Sequence, residues 1–301
     1  MLNEIMQNDE LRNRRLTYLY EKGIIQLGDE IPYKHSEETY LSPGEKNGYN
    51  NQSFSTKDIK IKWQAIGVEE VEGEKCLKLL AQQPVFKLGL KGARGCVYGI
   101  EEINAISQLF ATGKGAMKGK SITIEDVNQL LDVVVDEKKV YRAGNALGEK
   151  QYTPESFLVK KYTKDKIIHT GYYYRKNSII GKEKEKKILF LKDGYWLASF
   201  GVYVCSIYAS FGLGNVYDDV VDKGSSLFYS CGSWNDNKLA VRPVLYLNSN
   251  VTPMSFLKES CENDKKSLQK LLSQLEEKRQ ERQRIYEEEE KIIIQIKELT
   301  R

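Results

Sequence analysis

The chain has 301 residues, 41% of them hydrophobic and 29% charged, the composition of a folded globular protein rather than a disordered or disulfide-framed one. Lysine and arginine number 46 against 42 for aspartate and glutamate, and a net charge of +4 is too slight to imply a nucleic-acid or membrane-surface partner. Only two histidines occur, His35 and His169, which excludes a His triad or a three-His metal site.

The five cysteines (Cys76, Cys96, Cys205, Cys231 and Cys261) contain no C-x-x-C pair and read as reduced thiols of a protein folded in cytosol. No metal and no cofactor are expected. The opening segment carries acids before its bases and lacks an apolar h-region, so no secretory signal is expected. No stretch approaches eighteen apolar residues, so no membrane insertion is expected either.

In chain order, residues 1–23 read as an N-terminal helix ended by Gly23, with few apolar positions between Asn8 and Arg15. Residues 61–70, 75–81 and 187–192 read as short strands between turn residues. Ile100, Ile103, Ile106 and Leu109 recur at helical spacing, with Gly113 beyond the end. Thr123 and Asp126 form an N-cap arrangement before Val127, Leu130 and Leu131. Short strands, few helices and irregular connections predict an α+β domain over residues 24–255, without the strand–helix alternation of a doubly wound sheet.

Residues 111–121 resemble a phosphate loop only loosely. Gly113 and Gly115 miss the G-x-x-x-x-G-K-[ST] spacing, and the lysines read as a basic surface loop. The glycines of KLGLKGARGCVYG (87–99) match no dinucleotide fingerprint and read as tight turns. No serine lies in G-x-S-x-G, and Asp218–Asp219 reads equally as exposed charge or as an acid pair. No catalytic residue is assigned, and no enzymatic activity is expected.

The informative stretch is residues 194–251. YWLAS and LAVRPVLYL are strand-like, and Pro243 is expected at an edge or a bulge. Trp196, Leu197, Val241 and Val244 are expected in the core. Between these brackets Tyr, Ser, Asp, Asn and Gly mix with little periodicity. That palette suits antibody-like recognition surfaces, where tyrosine offers rigid amphipathic area and small polar residues adapt their hydrogen bonds. Composition alone leaves equally open a loop-rich core segment with half-buried tyrosines.

The frame YWLAS…FG…V…LF.S.G…LAVRPV.YL resembles a family of bacterial and prophage proteins with a C-type-lectin-like fold, many of them variable proteins diversified by retroelements. WQAIGVE (63–69), YGIEEIN (98–104) and GKSITIEDVNQLL (119–131) resemble that family's amino-terminal half, so the resemblance spans about residues 24–250. It implies a rigid scaffold with a variable ligand-binding face at about residues 200–238. The face it implies comprises Phe200, Tyr203, Val204, Cys205, Ser206, Ile207, Tyr208, Ser210, Asn215, Tyr217, Asp218, Asp219, Asp222, Tyr229, Ser233, Trp234, Asn235 and Asp236. Most of these types arise from adenine mutagenesis of an Asn codon, whereas Trp234 and Lys238 do not. SWND (233–236) resembles the calcium-site motif of sugar-binding lectins, but no proline here has the flanks of the second ligand loop such a site needs.

Residues 256–301 contain no glycine or proline. A 4–3 spacing runs through Leu257, Cys261, Asp264, Leu268, Leu271, Leu275, Lys278, Arg282, Ile285, Glu289, Ile292, Ile296 and Leu299, which predicts a coiled-coil association helix with a polar middle. Three functions compete. The first is a phage- or prophage-encoded display protein whose face binds a protein or glycan, and which forms a homo-oligomer or docks a partner helix through 257–301. The second is a structural or assembly protein in which the coiled coil is the active part. The third is an enzyme of unrecognised type. The first two imply folding in the cytoplasm, with residence on a virion compatible with either.

Overall fold

In the computed structural model, the described residues are 2–35, 40–41, 53–133, 140–142, 158–159, 161, 167–170, 174–204, 209–229, 235–256, 269–285, 288 and 292. The chain divides into two units, Met1–Pro253 and Met254–Arg301. The first is mixed α+β.

Its elements begin with α1 (Leu2–Gln7) and α2 (Leu16–Glu21), then β1 (Glu30–Ile31), β2 (Tyr40–Leu41) and β3 (Phe54–Ser55). The strands β4 (Trp63–Val71), β5 (Glu74–Ala81) and β6 (Val85–Lys91) lead into α3 (Gly92–Gln108). Then come β7 (Ala116–Ser121), α4 (Ile124–Leu131), β8 (Val140–Arg142), β9 (Ile167–Thr170), β10 (Tyr174–Arg175) and α5 (Glu183–Leu189). The unit closes with β11 (Tyr195–Val204), β12 (Ala209–Tyr217), β13 (Val220–Tyr229), β14 (Asp236–Val241) and β15 (Pro243–Leu247).

One sheet has five strands in the order β1-β4-β5-β15-β7. The other has eight, in the order β10-β13-β12-β11-β14-β6, with β9 joining β11 and β8 joining β9. A two-stranded ribbon, β2–β3, stands apart. Consecutive strands β14 and β15 belong to different sheets, so the chain changes sheet at Arg242–Pro243. The core joins both: Leu80, Val244 and Tyr246 from the first sheet meet Tyr195, Leu197, Val216 and Val221 from the second, beside Val127 of α4 and Leu189 of α5.

Several expectations are corrected. The N-terminal helix is broken in two: the Asn8 side chain accepts from the backbone N–H groups of Glu10 and Leu11, and this local turn replaces helix where apolar positions thin out. The strand expected at 187–192 is instead the end of α5 and its exit. Glu183 and Glu185 in its first turn and Lys186 and Lys187 in its last suit the helix dipole. The expected basic loop at 111–121 is largely β7, paired with β15. Pro243 lies neither at an edge nor at a bulge; it is the first residue of an interior strand, a position that also tolerates the missing N–H.

The glycines of 87–99 serve close approach more than turning. Only Gly92 has a positive φ, 58°. A Cβ at Gly99 would lie 2.9 Å from Leu90 Cδ1 and 3.2 Å from Leu213 Cδ2, so the missing side chain lets α3 lie close against these two leucines. The Thr123–Asp126 arrangement is a capping box, as expected: Thr123 Oγ1 accepts from Asp126 N–H and Asp126 Oδ2 from Thr123 N–H.

Trp196, Leu197, Val241 and Val244 are all fully buried. The frame is fastened by polar atoms as well. Arg242, 0% exposed, donates from Nε to Ala81 O (3.0 Å) and from Nη1 to Tyr195 Oη (3.1 Å), with its guanidinium 4.9 Å from the Tyr195 ring centre. Tyr195 Oη donates in turn to Leu189 O (2.8 Å), and Trp196 Nε1 donates to Leu88 O (3.0 Å). The brackets YW and VRP therefore tie α5 and strands of both sheets at the point where the chain changes sheet.

Candidate functional site

Strands β11, β12 and β13 form an antiparallel meander, so the expected variable stretch is largely strand rather than loop. Its register sorts the side chains. Tyr195, Val216 and Val221 lie opposite one another and are fully buried in the core. The alternate positions, Asn215 opposite Asp222 and Tyr217 opposite Val220, lie on the other face because side chains alternate along a strand. On that side β10 sets Arg175 opposite Val220, and Lys176 N–H donates to Asp219 O (2.7 Å) to hold the neighbouring strand in place.

A cleft of about 580 Å³ results, lined by Arg175, Asn215, Tyr217, Asp218, Asp219, Val220, Val221 and Asp222. The turn at its rim needs Asp218 at a φ of 52°, a left-handed position that aspartate tolerates better than most residues. Tyr217 is 60% exposed, whereas Asn215 is 5% exposed. Asp222 Oδ1 is shielded from solvent and makes no hydrogen bond among the described residues. Three carboxylates, one guanidinium, an amide and a phenol thus border one opening. Such groups orient hydrogen-bonding or cationic ligands; among the described residues, no group of three or more Asp, Glu, His or Cys is placed to hold a metal ion.

Five expected face residues meet here: Asn215, Tyr217, Asp218, Asp219 and Asp222. Others do not. Phe200 is 6% exposed and part of the core, opposite Leu213, which is fully buried as well. Tyr229 and Asn235 bond each other (Nδ2 to Oη, 3.0 Å) at the far end of β13, about 23 Å from Asp222 along the strand. The backbones of Tyr203, Val204 and Ser210 lie at that same far end, with Tyr203 opposite Ser210 and Ser210 opposite Tyr229, and Asp236 opens β14. Cys205, Ser206, Ile207, Tyr208, Ser233 and Trp234 lie outside the described residues. The expected face therefore divides between two ends of the meander. Arg175 was missed, since only the pairing of β10 with β13 brings it to the cleft; RKNS carries no periodicity that points there.

A second charged group is structural. Lys78, its side chain 3% exposed, donates to Glu69 Oε2 (2.5 Å) and to Asp126 Oδ1, while Tyr246 Oη lies 3.3 Å from Glu69 Oε2. Burial alone would lower the Lys78 pKa, but the adjoining Asp126 and Glu69 outweigh it and raise the value. Tyr246 is raised far above its ordinary range by burial and then by Asp126 and Glu69. The same Asp126 caps α4, so this network fastens α4 to β5 and β15.

In the second unit, residues 269–285 are helical, as are 288 and 292. Leu271 (62% exposed), Leu272 (51%), Leu275 (50%), Ile285 (51%) and Ile292 (55%) stand open. The expected seam positions Leu257, Cys261, Asp264, Leu268, Glu289, Ile296 and Leu299 lie outside the described residues. Among the described residues no helix is long and apolar enough to cross a membrane.

Comparison with protein-family models, curated proteins and solved structures finds no match to this chain.

Proposed function

We propose that the chain is a non-enzymatic ligand-binding protein that presents a Tyr-, Asn- and Asp-rich surface of β12 and β13 to a protein or glycan. The observation that carries this reading is the cleft. Five residues singled out for recognition border it with Arg175, on strands whose opposite face is locked into the core. Rigid strands hold polar groups in place at little entropic cost, and Tyr217 offers exposed aromatic area of the kind that anchors interfaces. The test is to probe the full chain and a Tyr217→Ala/Asp222→Asn variant on a glycan array and a surface-protein array. A wild-type signal that disappears in the variant supports the site; one that survives unchanged refutes it.

A C-type-lectin-like scaffold, carriage by a phage or prophage, folding in the cytoplasm and retroelement diversification belong to the same proposal. They rest on the motif resemblance. A reverse transcriptase and a near-repeat of the 200–238 coding segment, differing only at adenines, in the adjoining DNA would support diversification; their absence would remove it.

The exposed leucines and isoleucines of the second unit favour a further role as an association element, because water cannot satisfy such a stripe. Light scattering of the full chain against a version ending at Pro253 tests it. A larger mass for the full chain alone is the expected result.

A further inference from the structure

We infer that the helix of the second unit pairs with the same segment of a second copy of this chain, running antiparallel. The inference rests on the association reading above and adds the partner and its direction. Leu271, Leu275, Ile285 and Ile292 are each at least half exposed and recur at coiled-coil spacing. Sequence spacing continues the same seam through Lys278, Arg282 and Glu289 between its apolar ends.

Charge decides the direction. In a parallel, in-register pair every seam residue meets itself, so Lys278, Arg282 and Glu289 would each oppose a like charge in a partly desolvated seam. Like charges at facing positions destabilise. In an antiparallel pair, a positions face d positions. Leu275 then meets the partner's Ile292, Lys278 meets the partner's Glu289, and Arg282 meets the partner's Ile285, over which its aliphatic stem can lie while the guanidinium reaches water. Each pairing recurs on the other side of the two-fold axis. Read from either end, the seam is apolar, then charged with opposite sign in its two halves, then apolar. A surface that complements its own reverse is what a two-fold interface requires, which favours a second copy over an unrelated helix.

The test uses the full chain at concentrations up to tens of micromolar, with mass and Kd from sedimentation equilibrium. The wild type is expected as a dimer. Lys278→Glu sets Glu against Glu at both equivalent layers and should weaken the dimer at least about tenfold. Adding Glu289→Lys to the same chain restores opposite charges and should return Kd to within about threefold of wild type. A parallel pair predicts a different result, because like charges merely replace like charges and neither variant changes Kd. That outcome, a trimer or larger assembly, or a double variant that stays weak would overturn the antiparallel pair while leaving association standing. A monomeric wild type would overturn both.

Discussion

At the end nearest β10, the two faces of β12 and β13 share one backbone and have opposite fates. On one, Val216 and Val221 are fully buried beside Tyr195; on the other, Asn215 and Asp222 sit opposite each other beneath an exposed Tyr217. Strand alternation alone separates them. The comparison teaches that one end of a strand face can stay open when the opposite face is fastened, here by Arg242 and Tyr195, while Leu213 and Trp196 on the open side are themselves buried.

The largest expected effects lie in the buried frame. Arg242→Met should lower stability by about 3–5 kcal/mol, since it strands buried carbonyls and the Tyr195 hydroxyl. Trp196→Ala should fall in the same range of about 3–5 kcal/mol by opening a cavity. Urea unfolding reads both, and a loss under about 1 kcal/mol in either would mean that the frame is not what holds the sheets together. Gly119→Ala should cost about 1–3 kcal/mol, because its Cβ would lie 2.6 Å from Ser107 O and 2.9 Å from Gln108 Cα, backbone atoms that cannot swing aside.

Alkaline pH tests the same frame without mutation. Tyr195 is raised by burial, with Arg242 opposing; Tyr246 is raised by burial and then by Asp126 and Glu69; Lys78 is raised by its carboxylates against burial. All three have folded values above their unfolded ones, so their contribution is complete below about pH 10 and declines as pH climbs toward the folded values. Urea midpoints should hold between pH 8 and 9.5 and drop at pH 11. A flat profile would break the assignment of buried, paired groups.

The smallest effect belongs to the open face. Tyr217→Ala should change stability by no more than about 0.5 kcal/mol. A loss comparable to that of Trp196→Ala would erase the division between the buried frame and the open face.

Much of the buried frame was legible in the sequence. Thr123-x-x-Asp126 specifies its capping box within four residues, and the aromatic and apolar brackets at 195–197 and 241–247 announce burial by composition. The N-terminal helix and the segment 187–192 were misread because short elements carry too few periods to separate turn, strand and helix. Pro243 was misread because its exemption comes from opening a strand at a change of sheet, and no local pattern signals that change.

The amino-acid sequence by itself determined an α+β unit, the α4 cap, the buried brackets and an apolar stripe in residues 268–299, all of which depend on neighbours a few positions apart. Tertiary structure alone decided which of the candidate residues meet. Asn215 and Asp222 come together through strand register, Arg175 arrives through the pairing of β10 with β13, and Phe200 is buried opposite Leu213. Register and sheet order depend on contacts far apart in the chain, and a one-residue shift would have moved every one of these side chains to the other face.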